Sequence, residues 1–258
     1  MDTLLSLKYM NLKKDGKRGW LTLDRPEALN AFNNEGTEQL NQAAMVIRED
    51  PDIRVLVIRG NGRAFCTGID LKELASNQID MSYHHRFETA LRIFETMEKI
   101  VVVGMHGYCL GGGLQLALAA DIRGVTPECQ IGLPAIRESL IPGLSTWRLP
   151  KYIGWGRAKK MILGGENIDG HQALDIGLAD HILDDQHLFE QLDTVAEQYL
   201  KACSAGMRLS KILINQAYEL NFEGMAQSYY ELQQRAQYSL DARNASKAYL
   251  SGKTPEWQ

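Results

Sequence analysis

No run of about eighteen apolar residues occurs in this sequence, so none of it reads as a helix that would span a bilayer. The opening MDTLLSLKYM carries an acid at Asp2 and lacks a basic segment followed by a long apolar run, so no secretory signal is expected there. Cysteine is scarce. Cys66, Cys109, Cys129 and Cys203 show no C-x-x-C spacing, and they are expected to be reduced thiols of a cytoplasmic protein rather than a disulfide framework. An excess of positive charge is missing too: 28 lysines and arginines stand against 32 aspartates and glutamates. The resulting charge of −4 argues against nucleic acid or an anionic membrane as the main partner, yet leaves room for a local basic patch facing a phosphorylated ligand. The glycine-rich phosphate fingerprints are absent as well. Gly107 to Gly113 (GYCLGGG) fits neither G-x-G-x-x-G with an acid about twenty residues on nor a loop ending in G-K-[S/T].

What is present centres on Ile100 to Asp121, IVVVGMHGYCLGGGLQLALAAD. Ile100 to Met105 reads as a buried parallel strand and Leu114 to Ala120 as a buried helix, with Gly111-Gly112-Gly113 between them. Such a turn delivers unpaired N–H groups at a helix N-terminus, where the lack of Cβ atoms lets an anion or a developing oxyanion come close. Tight strand–helix packing without chemistry is the competing explanation. A second stretch weighs against it. Arg54 to Arg59 reads as another buried strand, followed by a turn at Gly60 to Gly62 and then by RAFCTGIDLKEL, with Gly68 just before a helix start. Two strand ends thus each offer an N–H.

With both turns in hand the sequence resembles the crotonase, or enoyl-CoA hydratase/isomerase, superfamily over nearly its whole length. The matching segments are Leu23 to Ala31 (LDRPEALNA), Ala64 to Leu71 (AFCTGIDL), Gly107 to Gly113 (GYCLGGG) and Ile141-Pro142-Gly143, in the family's order. The fold class the resemblance implies is α/β, a spiral of ββα repeats with a C-terminal all-helical oligomerisation region, divided near residue 200 into a core, 1–200, and a helical region, 201–258.

Read in order, the chain is expected to open with an antiparallel pair, Leu4 to Asn11 and Gly19 to Leu23, around the hairpin signal Asp15-Gly16. An amphipathic helix is expected over about Thr37 to Glu49, and a long one within Ser76 to Lys99 with Phe87, Leu91, Phe94 and Met97 on one face. His84 and His85, near the start of the latter, point to different faces and make no metal pair. A solvated helix start accounts for them, although some crotonase relatives draw catalytic residues from this helix. A strand at Ile122 to Val125, a helix from about Ser145 broken at Ile153 to Gly156, and a strand-like Ala179 to Leu183 follow. From Gln186 the pattern is helical, with Gly206 and Gly224 as punctuation. Its apolar stripes (Leu213, Ala217, Leu220; then Met225, Tyr229, Leu232, Ala236) need a cover, which in the family is a neighbouring subunit of a trimer or hexamer.

The resemblance implies an acyl-CoA partner, with coenzyme A as part of the substrate and no separate cofactor or metal. It places Ala28, Leu29, Ala64, Cys66, Gly68, Ile69, Asp70, Leu71, Tyr108, Gly111 and Gly112 at the ligand, and makes the backbone N–H groups of Ile69 and Gly112 the oxyanion donors. One departure matters. A hydratase of the family carries a glutamate three residues after the second donor glycine and another directly after a later proline; here Gln115 and Ala135 stand there. Neither side chain titrates, so efficient hydration of a simple enoyl-CoA is not expected. Replacement candidates are Glu138, Ser145 and Thr146, with Gln115 itself retained at the site. Asp70 reads as a helix cap, Cys66 and Cys109 as buried fillers, and His106 as tied to backbone. Two functions remain open: an enzyme acting on a CoA thioester through an enolate, or a non-catalytic acyl-CoA binder, with Trp147 bordering its cleft.

Overall fold

The computed structural model describes residues 1–202 and 204–257, so Cys203 lies outside the described residues. Strands β1 (Asp2–Ser6), β2 (Met10–Asp15) and β3 (Arg18–Leu23) run antiparallel in turn. The Asp15-Gly16 turn joins β2 to β3 as expected, with Gly16 at φ +58°. Leu4 to Asn11 is not one strand, however: a turn in which Leu7 N–H donates to the Met10 carbonyl (3.0 Å) splits it. Beyond β3 the sheet becomes parallel through β4 (Val55–Gly60), β5 (Ile100–Met105), β7 (Ile122–Val125) and β10 (His181–Ile182). A smaller sheet is built from β6 (Tyr108–Leu110), β8 (Gln130–Gly132) and β9 (Asn167–Ile168).

The two sheets are stitched by repetition. Each central strand of the large sheet leads to a rung of the small one and then to a helix. Thus β4 leads to Cys66, then α2 (Leu71–Ala75) and α3 (Met81–Thr96); β5 leads to β6 and α4 (Gly112–Leu118); β7 leads to β8, a 3-10 turn at Pro134–Glu138 and α5 (Ser145–Gly164). Cys66 bridges to Cys109, Cys109 pairs with Ile131, and Ile131 with Ile168, so successive turns stack in register. This is the expected spiral of ββα units.

Burial explains why the central strands read as unbroken apolar runs, because both faces of the sheet are covered. Leu56, Ile58, Val101 and Val103 face the main core with α1 (Asn34–Glu49) and α3. Val55, Val57, Ile100 and Val102 face α7 (Leu188–Ala202) through Leu188, Leu192 and Val195. Helix α1 starts three residues earlier than the apolar periodicity indicates, because Asn33 caps it by accepting from Gly36 N–H (2.8 Å).

After α6 (Gly170–Asp175) and α7 come α8 (Ala205–Gln216), α9 (Phe222–Gln237) and α10 (Leu240–Leu250). Gly206 and Gly224 do not punctuate these helices. They lie in the first turns of α8 and α9, behind the caps Ser204 and Asn221, whose side chains accept from Met207 N–H (3.2 Å) and Gly224 N–H (3.0 Å). Helix α8 is latched to the core by buried Lys211, which pairs with Asp121 at 2.8 Å and donates to the Phe94 and Lys99 carbonyls. Helix α9 buries no residue fully, and Phe222, Tyr249 and Leu250 are each more than 80 % exposed. No helix among the described residues is long and apolar enough to cross a membrane.

Candidate functional site

Strands β4 and β5 are parallel neighbours in register, Val55 to Ile58 against Ile100 to Val103, so the segments leaving their C-terminal ends travel side by side. The carboxyl ends of parallel strands are where ligands settle in α/β sheets. Phe65 N–H donates to the His106 carbonyl, Cys66 N–H to that of Tyr108, and Leu110 N–H to that of Cys66 (2.9, 3.0 and 2.9 Å). The result brings Gly68 against Gly112. A Cβ on Gly68 would stand 2.6 Å from the Gly112 nitrogen, and one on Gly112 would stand 3.2 Å from Gly68 Cα.

The local hydrogen bonding leaves two amides over. Phe32 pairs with Ile69 as an isolated parallel bridge, in which Phe32 N–H donates to Gly68 O (2.7 Å) and Asp70 N–H donates to Phe32 O (2.8 Å). That bridge passes over the Ile69 N–H. Gly111, at φ +50°, donates to Gly132 O (2.9 Å) and turns the chain into α4, whose first residue is Gly112. Among the described residues neither the Ile69 nor the Gly112 N–H donates to a protein acceptor. Both residues line a cavity of about 1080 Å³ that runs between α2, α3, α4 and the loop 139–144 that leads into α5.

Ala28, Leu29, Asp70, Leu71, Gly111, Gln115 and Glu138 also line this cavity, together with Ala135. Glu138 is exposed at the end of the 3-10 turn. Other expected residues do not line it. Ala64 and Cys66 are fully buried, Ala64 O accepting from Asn30 Nδ2 (2.8 Å) and Cys66 Sγ donating to Asn30 O (3.1 Å). Burial pushes the Cys66 thiol up to about 12, which leaves it a filler rather than a nucleophile. Gly68 acts from behind the wall, and Tyr108 is 43 % exposed on β6 outside the cavity. Ser145 begins α5 with its side chain enclosed, and only Thr146, one residue on and about 100° around the helix, reaches the wall. Trp147 does not border this cleft; it sits beneath Lys151, whose Nζ lies 2.8 Å from the ring centroid, in a separate cavity near α8. His106 is tied to backbone as expected, Nε2 lying 3.0 Å from Gly62 O.

Asp70 caps α2 by accepting from Lys72 and Glu73 N–H and pairs with Arg25 at 2.7 Å. Burial alone would raise its pKa, but the Arg25 hydrogen bond and the two backbone donors outweigh it and hold the carboxyl below its ordinary 3.8. A carboxyl depressed in the folded state contributes stability above its unfolded pKa and loses it as pH falls through the folded one. Asp70→Ala is therefore expected to cost about 2 kcal/mol at pH 7, from cap and pair together. That difference should shrink below about pH 4; urea unfolding of both proteins at pH 7 and pH 3 reads it.

His84 and Glu88 are among the α3 side chains that reach the cavity. His84 is half-buried there, not solvated, while His85 is exposed. Burial, the largest influence, holds the His84 pKa below the ordinary histidine value against the pull of Glu88, which keeps the ring neutral at pH 7. Glu88, one turn after His84, also lines the cavity. The only trace of it in the sequence is its i+4 spacing from His84 beside the inward-facing Phe87.

The family model for enoyl-CoA hydratase/isomerase matches residues 19–258. A short-chain-enoyl-CoA hydratase of Clostridium acetobutylicum is 28 % identical over 223 residues, 85 % of each protein. Among solved structures, DspI of Pseudomonas aeruginosa superposes with a TM-score of 0.90 at 28 % identity, covering 99 % of this chain and 98 % of its own. An enoyl-CoA hydratase of Bacillus anthracis gives a TM-score of 0.89 at 26 % identity, covering 97 % and 99 %.

Proposed function

Because the chain belongs to the enoyl-CoA hydratase/isomerase family, we propose that its cavity binds an acyl-CoA thioester and holds the thioester oxygen between the Ile69 and Gly112 amides while an enolate forms. One observation carries this reading: Gly68 and Gly112 pack in contact with the two unused N–H groups on a shared cavity wall. Preorganised donors aimed at developing charge are worth about 3 to 4 kcal/mol each. Ala28 and Leu29 would border the coenzyme A portion, with the Arg25 and Lys72 side chains near enough to meet its anionic groups. Leu71, Met81, Phe87 and Leu144 provide an apolar wall for the acyl chain. Coenzyme A enters as part of the substrate.

The reaction is isomerase- or hydrolase-like in this reading, with hydration a poor side activity, because Gln115 and Ala135 bring no titratable group to the cavity. The same two residues favour the second reading, a binder without turnover. Butyryl-CoA separates the two. Calorimetric titration should show binding that free coenzyme A does not match and that Gly112→Val loses; in D₂O the enzyme should exchange the α-protons of the bound ligand. Binding without exchange would leave the binder reading standing, and no binding would remove both. The open apolar faces of α9 and α10 suit self-association as a trimer or hexamer, which sedimentation as a monomer would overturn.

A further inference from the structure

The cavity contains a carboxylate beside the position that Gln115 occupies. A Cβ on Gly143 would stand 3.0 Å from Glu88 Oε1, and the same point overlaps Gln115 Oε1. Carboxylate and carboxamide therefore flank one glycine, and Gln115 is only three residues along α4 from the Gly112 amide, on the same helix face. The next side chain on α3 agrees: Phe87 Cζ lies 3.5 Å from where a Gly112 Cβ would be. Glu88 is held in place on both oxygens. Leu144 N–H donates to Oε1 (3.0 Å) and Arg148 Nη1 donates to Oε2 (2.7 Å), while buried Arg148 is fixed in turn by Nε donating to Glu95 (2.6 Å). Each oxygen keeps a lone pair for a proton.

We propose that Glu88 is the proton-carrying group of this site, supplying from α3 the carboxylate that Gln115 does not. The proposal rests on the acyl-CoA reading above. The step balances between Glu88 and the thioester. The Cα–H bond breaks, its proton forms an O–H bond on Glu88, and the electron pair moves into the thioester, leaving negative charge on the oxygen that faces the two amides. Returning the proton to the same carbon gives isotope exchange; returning it to the γ-carbon of an unsaturated chain shifts a double bond. One carboxylate suffices for either, whereas hydration asks for a second group to handle water. His84 is the competing base, but its ring packs edge-on against Tyr83, with centroids 5.1 Å apart, one turn before Glu88.

The test follows α-proton exchange of butyryl-CoA in D₂O by NMR, with calorimetric affinity alongside. Glu88→Gln keeps the size and the acceptor for Leu144 N–H but cannot carry a proton. Its exchange should fall by about 10²-fold or more while its Kd stays within about threefold of the wild type. Gln115→Glu added to Glu88→Gln returns a carboxylate to the adjacent position and should raise exchange at least about tenfold over Glu88→Gln alone. Exchange by Glu88→Gln within about threefold of wild type overturns the proposal, as does a loss in His84→Asn that Glu88→Gln does not share. If Glu88→Gln no longer binds, the double variant decides, since binding with exchange supports the proposal and binding without it overturns it. A wild type that binds no acyl-CoA overturns the acyl-CoA reading itself; one that binds without exchange overturns the role of Glu88 alone.

Discussion

Gly68→Ala is expected to lower α-proton exchange on an acyl-CoA by about 10² to 10³, the loss typical of disabling one oxyanion donor, and to cost about 3 kcal/mol of stability. Gly68 sits at φ +95°, a conformation alanine resists, and the added methyl has no room. Its position is 2.6 Å from the Gly112 nitrogen and 2.9 Å from the Leu110 carbonyl oxygen. Those are backbone atoms, so relief requires moving the very segment that presents the Gly112 amide. Gly16→Ala separates strain from collision. Gly16 also has positive φ, +58°, but nothing lies within 4 Å of its Cβ position. It should cost about 1 kcal/mol and leave exchange untouched. Near-wild-type exchange in Gly68→Ala would refute the pairing of the two amides.

The contrast between these glycines also shows what could be read from the chain alone. Ile100 to Met105 matches its strand residue for residue, because a strand covered on both faces needs only continuous apolar character, and Ile122 to Val125 matches too although Arg123 interrupts its apolar run. The glycines at 68 and 111 to 113 marked two close-packed turns from sequence alone, because glycine is the residue that lets backbone approach backbone, as Gly68 and Gly112 do. The limits came where long-range packing decides. Glu88 and Gln115 belong to different helices and are brought to one place only by the Gly143 turn before α5, against which both side chains lie, so no local pattern joined them. Ser145 and Thr146 were equivalent in sequence, and only the rotation of α5 buries one and presents the other. Gly224 suggested a break in the tail, whereas Asn221 was the stronger local signal, a cap whose side chain accepts the Gly224 N–H at 3.0 Å.

Hydration of crotonyl-CoA is expected to run at least about a hundredfold below that of a family member carrying both glutamates. Addition of water across a double bond needs one group to take a proton from water and another to deliver one to the α-carbon, and positioned acid–base groups contribute about 10² to 10⁴ each. Gln115 offers only an amide, Ala135 offers a methyl, and both face the cavity. Among the carboxylates lining the cavity, Asp70 is taken up by Arg25 and the α2 cap and Glu138 lies exposed on the 3-10 turn, so the proposed role of Glu88, held by Arg148 and the Leu144 N–H, covers only one of the two tasks. Gln115→Glu with Ala135→Glu should therefore raise the hydration rate by about 10²-fold or more over the wild type, without a matching gain in α-proton exchange. Spectrophotometric loss of the crotonyl-CoA double bond reads this directly. Rapid hydration by the unaltered protein would show that water is activated by some other group and would remove the case for a one-carboxylate reaction.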